Sequence, residues 1–115
     1  MEKETNMNTL TETQVATKLV QFLLARGYAL SVNDGEETTV HMSKNEQEII
    51  PAMFTTDEEI LYVNCTVTNK MIGYIELIYG NGADCVIHDC LGVSVEALVD
   101  DFSELLEFGY DHGED

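Results

Sequence analysis

Four residues in one short stretch carry ligand chemistry: Cys85, His88, Asp89 and Cys90. Thiolate, imidazole and carboxylate are the donors of zinc sites, and Cys65 and His41 are the distant candidates to complete a set. The spacing argues against it. Cys85 and Cys90 stand as C-x4-C, not as the C-x2-C pair of common zinc sites, and no second pair exists. A strand here would also turn the two thiols to opposite faces. No stretch follows the alternating acidic pattern of a calcium loop. The expectation is three reduced thiols, with no metal and no cofactor. Catalytic motifs are absent as well: no G-x-S-x-G, no phosphate loop, no G-x-G-x-x-G and no H-E-x-x-H. His112 falls in a polar tail, and His41 alternates with Val40 and Met42, so it faces outward. The residue types therefore predict a binding protein without enzymatic activity.

The residues that do stand out are carboxylates. The chain has 22 acids against 5 bases, a formal net charge of -17 over 115 residues. After Met71 there is no Lys or Arg at all. Solubility needs a net charge of only about 2–8 in a small domain, and self-repulsion beyond that destabilises the compact state. The charge implies a positively charged partner. It excludes direct binding to nucleic acid or to an anionic membrane, which both need clustered Lys and Arg.

Hydrophobic content of 44% is enough for a packed core, and the length suits one domain. The polar start, Met1 to Asn6, has no signal-peptide pattern, and no apolar run reaches the ~20 residues of a membrane helix. A cytoplasmic chain is expected, monomeric or a small homo-oligomer. Residues 1–8 read as a leader, 9–108 as the domain and 109–115 as an acidic tail.

The elements that position the acids follow from periodicity. Thr9 or Thr11 caps a helix, with Thr9-Leu10-Thr11-Glu12 resembling a capping box. Val15, Leu19, Phe22 and Leu23 form its apolar stripe, Arg26 sits in the last turn and Gly27 stops it. Tyr28–Val32 and Thr38–Met42 read as strands joined by Asn33-Asp34-Gly35-Glu36, a tight-turn signal. Ser43-Lys44-Asn45-Glu46 opens a short helix that Pro51 shortens. Ile60–Val67 and Met71–Tyr79 are two further strands, the second with Met71, Gly73, Ile75, Leu77 and Tyr79 toward the helices. Cys85–Cys90 is taken as a short strand. Ser94 caps a last helix with Val95, Leu98, Val99, Phe102, Leu105 and Leu106 on one face. The order is α-β-β-α-β-β-(β)-α, an α+β domain with three helices on an antiparallel sheet of four to five strands.

On the last helix, Glu96, Asp100 and Glu104 follow one another at i, i+4, flanked by Asp101 and Glu107. Like charges so spaced lie ~6 Å apart and weaken a helix by roughly 0.2–0.5 kcal/mol per pair. A locally unfavourable choice repeated in this way points to function. Three acidic turns join it: Asp34, Glu36 and Glu37, then Asp57, Glu58 and Glu59, then Asp111, Glu114 and Asp115. Duplex DNA carries one charge per ~1.7 Å of axis. Carboxylates on a folded surface can offer a basic cleft comparable charge density and occupy it in place of DNA or guide RNA.

The run Arg26-Gly27-Tyr28-Ala29-Leu30-Ser31-Val32-Asn33-Asp34-Gly35-Glu36-Glu37 resembles the start of small acidic proteins of bacteriophages and related mobile elements. Thr55-Thr56-Asp57-Glu58-Glu59 and Ile78-Tyr79-Gly80-Asn81-Gly82 extend the likeness over most of residues 20–90. The resemblance implies a phage context and no catalytic residues. The basic residues usual in that group's second strand are absent here. In charge and size the chain is also similar to anti-restriction and anti-CRISPR DNA mimics. The expectation is an anti-defence protein that blocks the nucleic-acid channel of a basic host protein or ribonucleoprotein, most directly a CRISPR effector. An adaptor that binds some other basic host protein is the alternative, and a small metal protein or enzyme the third.

Overall fold

A capping box starts the first helix. The Thr11 hydroxyl accepts the Gln14 N–H at 3.1 Å, and Gln14 Oε1 accepts the Thr11 N–H at 2.8 Å. The box is therefore Thr11 with Gln14, not Thr9 with Glu12, and it leaves Glu12 for another task. The computed structural model describes residues 11–110. The leader expected at 1–8 and residues 111–115 of the expected tail lie outside the described residues.

The elements are α1 (Glu12–Ala25), β1 (Tyr28–Asn33), β2 (Thr38–Ser43), α2 (Glu46–Ala52), β3 (Glu58–Cys65), β4 (Lys70–Ile78), β5 (Ile87–Leu91) and α3 (Val93–Tyr110). They form a mixed α+β fold with three helices and one sheet in the order β2-β1-β3-β4-β5, antiparallel throughout. The α3 helix passes the boundary expected at 108. The stretch expected to be a strand over 85–90 begins instead with a 3₁₀ turn, Ala83–Cys85, and pairs only from Ile87.

Alternation divides the sheet into two faces. Cross-strand partners Leu30 and Val63, Val32 and Leu61, and Leu61 and Ile75 share one face. They form a single core with Val15, Ala16, Leu19, Val20 and Leu23 of α1, Ile49 of α2, and Val95, Leu98 and Phe102 of α3. All three helices therefore pack on this face. Each fully buried Leu, Ile or Val here contributes about 1.5–3 kcal/mol from its removal from water. Phe22 of α1 meets Phe102 of α3 with ring centroids 5.4 Å apart. The Arg26 guanidinium also lies over the Phe22 ring, 4.3 Å from its centroid.

Three local expectations need correction. Met71 does not face the helices; it is 55% exposed. The β3–β4 register shifts after Val63, which pairs with Gly73, so that Asn64 pairs with Met71 and Ile72 is the extra residue. Ser94 is not the residue before α3: the helix starts at Val93, and the Glu96 N–H reaches the Gly92 carbonyl at 2.8 Å. Glycine is required there because a Cβ at Gly92 would stand 2.4 Å from the Ile72 carbonyl oxygen. A Cβ at Gly73 would stand 2.0 Å from the Leu91 carbonyl oxygen. These two glycines let the β5–α3 corner lie directly on the irregular part of β4. Lastly, Asn45 and not Ser43 caps α2, by accepting the Gln47 N–H at 2.9 Å. Ser43 instead accepts the Asn45 N–H and donates to Glu48. As its position predicts, Pro51 lies in the final turn, and α2 ends at Ala52.

Candidate interaction surface

The apolar stripe of α3 fixes where its acids go. Val95, Leu98 and Phe102 are buried, so Glu96, Asp100, Asp101 and Glu104 face outward, and all four are exposed. The side chain of Glu107 lies outside the described residues. None of the other α3 carboxylates forms an ion pair among the described residues. Glu96, Asp100 and the β5 residue Asp89 lie around Cys90. Burial raises the Cys90 thiol above its ordinary pKa, and Glu96, Asp89 and Asp100 push it further in the same direction.

The acidic turns form a second group. Asp34 closes the β1–β2 turn, its Oδ1 accepting the N–H groups of Glu36 at 2.9 Å and Glu37 at 3.0 Å. Those bonds, the one from Glu37 first, lower its pKa below the ordinary carboxylate value. The Thr56 hydroxyl lies 3.1 Å from the Asp34 carbonyl and 2.6 Å from the Glu58 carbonyl. It ties the β1–β2 turn to the α2–β3 connection. Exposed Glu36, Glu37, Asp57 and Glu58 therefore gather at one end of the sheet.

Glu59 does not join them. It is fully buried on the helix side of β3, in register with Leu77. Strand alternation explains this, since Glu59, Leu61 and Val63 share one face once β3 starts at Glu58. Its Oε2 accepts the Phe54 N–H at 2.8 Å. Its Oε1 and the Tyr79 hydroxyl are both buried and near enough to interact with each other, yet neither makes a hydrogen bond of good geometry. Burial is the main cause of a raised Glu59 pKa; the Phe54 amide and Tyr79 oppose the rise, and Asp34 adds to it. Burial, and then Glu59 itself, also keep the Tyr79 hydroxyl protonated. Phe54 is held at φ 69°, and its ring meets that of Tyr79 in a tilted contact, 5.3 Å between centroids.

Glu12 is a second carboxylate with a structural task. It accepts the N–H groups of Gly80, Asn81 and Gly82 at 2.8–3.0 Å, pinning the loop after β4 to the start of α1. Nothing local in the sequence announces this contact between residues 68 to 70 positions apart.

No group of three or more His, Cys, Asp or Glu suited to a metal ion occurs among the described residues. Cys65, Cys85 and Cys90 form no disulfide. Cys85 is exposed, and Cys90 is half-buried against the core. The Cys65 thiol is lowered below its ordinary pKa by the side chain and amide of Thr68 and the amide of Val67.

No family model, no curated protein and no solved structure matches this chain. Among the described residues, no helix is long and apolar enough to cross a membrane.

Proposed function

We propose that this chain is a phage-type anti-defence protein. It places a carboxylate surface in the nucleic-acid channel of a host complex, a CRISPR effector, and so excludes target DNA. Glu96, Asp100, Asp101 and Glu104 on α3, exposed and without an ion pair among the described residues, carry this reading. A rigid helix holds successive carboxylates in a row about 6 Å apart, a fixed line of negative charge. Asp34, Glu36, Glu37, Asp57 and Glu58 supply a second acidic surface. The partner's positive field would steer association and raise its rate, more steeply at low salt. The protein acts by binding and not by catalysis, in the host cytoplasm.

The test is competition. Labelled duplex DNA is bound to purified CRISPR effector complexes, and the protein is titrated in at several salt concentrations. Displacement that weakens steeply with salt is expected. Simultaneous binding of DNA and protein would favour the adaptor reading. Displacement independent of salt would remove the acidic surface as the contact.

A further inference from the structure

On the face of the sheet away from the helices, Ala29, Ser31 and Asn64 are buried, but the β3–β4–β5 part is partly to fully exposed among the described residues. This face carries two cross-strand rows. One runs Ser31, Tyr62, Tyr74, Leu91; the next runs Asn33, Ile60, Glu76, Asp89. Tyr62 and Tyr74 meet edge to face with centroids 6.2 Å apart, both half-exposed. Leu91 beside them is 57% exposed. Ile60 and Ile78 are half-exposed on the same face, and Glu58 pairs with Ile78.

Charge decides what fits here. Glu76 and Asp89 stand directly opposite each other, an arrangement that destabilises a strand pair unless a cation intervenes. Among the described residues no Lys or Arg stands beside them: the one such residue within the five strands is Lys70, at the far end of β4 opposite Cys65, and His88 is the nearest other titratable base on β5. A second copy of a chain with net charge -17 is repelled from the same face. What the face offers is aromatic rings next to paired carboxylates. Arginine uses both at once, because its planar guanidinium stacks on rings and bonds carboxylates through its fork of N–H groups.

We infer that the open sheet face is a docking surface for an arginine-bearing segment of a protein partner. The guanidinium lies over Tyr74 and Tyr62 and bonds Glu76 and Asp89. The inference shares with the proposed function the idea of a basic partner; it does not depend on α3 acting as a DNA mimic.

The experiment titrates the full ¹⁵N-labelled chain with a hexapeptide of alternating Gly and Arg, and separately with its Gly and Lys counterpart. The Arg peptide should bind about threefold or more tightly than the Lys peptide. Amide shifts should concentrate at Ile60–Tyr62, Tyr74–Glu76 and Asp89–Leu91. Tyr74→Leu should abolish the preference for Arg, and Glu76→Gln should weaken both peptides, with thermal melts showing that each variant folds. Neutralising Glu96, Asp100 and Glu104 should leave the Arg preference in place. Equal affinity for the two peptides, shifts confined to α3, or no binding would each overturn the inference. Preserved Arg preference in a protein that fails to displace DNA would sink the mimic reading alone.

Discussion

Replacing Glu59 by Gln isolates the cost of a buried carboxyl. The variant keeps an oxygen to accept the Phe54 N–H, now made at 2.8 Å. It adds an amide N–H₂ that can donate to the buried Tyr79 hydroxyl, which makes no hydrogen bond of good geometry. It also removes the charge that burial disfavours. Because the folded pKa of Glu59 lies above its ordinary value of 4.5, the folded state holds the proton more tightly than the unfolded state. The stability this provides is complete below the unfolded pKa. It is lost as pH rises toward the folded pKa, by at most about 1.36 kcal/mol per pH unit, and then levels off. Gln cannot titrate, so its advantage over Glu should be smallest in acid and grow toward neutral pH. At neutral pH we expect Glu59→Gln to stabilise the fold by about 1–2 kcal/mol, the scale of an unsatisfied buried polar group. For a domain near this size that is roughly 4–8 °C in Tm per kcal/mol. Urea melts of both proteins from about pH 4 to 8 give the difference curve, in which the shared repulsion of the other acids cancels. A flat curve, or a Gln variant that loses ground as pH rises, would refute the assignment of Glu59 as a carboxyl disfavoured by burial.

Other sites give independent checks. Gly73→Ala should cost about 2–4 kcal/mol in denaturant melts, because its Cβ has no room against the Leu91 carbonyl and Val95. Glu12→Ala should lower stability by about 2–3 kcal/mol and speed hydrogen exchange at Gly80, Asn81 and Gly82, whose amides lose their acceptor. With a limiting alkylating reagent near neutral pH, Cys65 should label faster than Cys90, since their pKa values move in opposite directions; mass spectrometry of the digest reads the ratio. Glu96→Gln, Asp100→Asn and Glu104→Gln together should raise stability by a few tenths of a kcal/mol per relieved pair, seen as a small increase in Tm.

Local signals carried the architecture. The Asn33-Asp34-Gly35 turn, the stripe of Val95, Leu98 and Phe102 and the early stop at Pro51 each follow from rules acting over a few residues. Together they define the element order and the antiparallel sheet. The outward direction of Glu96, Asp100 and Glu104 was readable for the same reason, since the apolar stripe of one helix determines its opposite side. What escaped depends on contacts across the chain. Glu59 lies two residues before Leu61, so alternation hinted at its burial, but only the pairing with Leu77 shows that β3 extends that far. The capture of the Gly80–Gly82 amides by Glu12 has no local signature. Nor does the Thr56 link that draws the Asp34 and Asp57 acids together. Met71 turned outward because a register shift depends on the partner strand, which a period of two along β4 does not see.

Displacement of labelled duplex DNA from a purified CRISPR effector, by the protein and by its Glu96→Gln, Asp100→Asn, Glu104→Gln variant side by side, bears most directly on the proposed function. The native protein should displace the DNA. The variant, folded and slightly more stable, should need a markedly higher concentration, and the gap should narrow as salt screens the charges over a Debye length of ~8 Å. A variant that displaces DNA as well as the native protein at every salt concentration would show that α3 is a solvated face and not the contact.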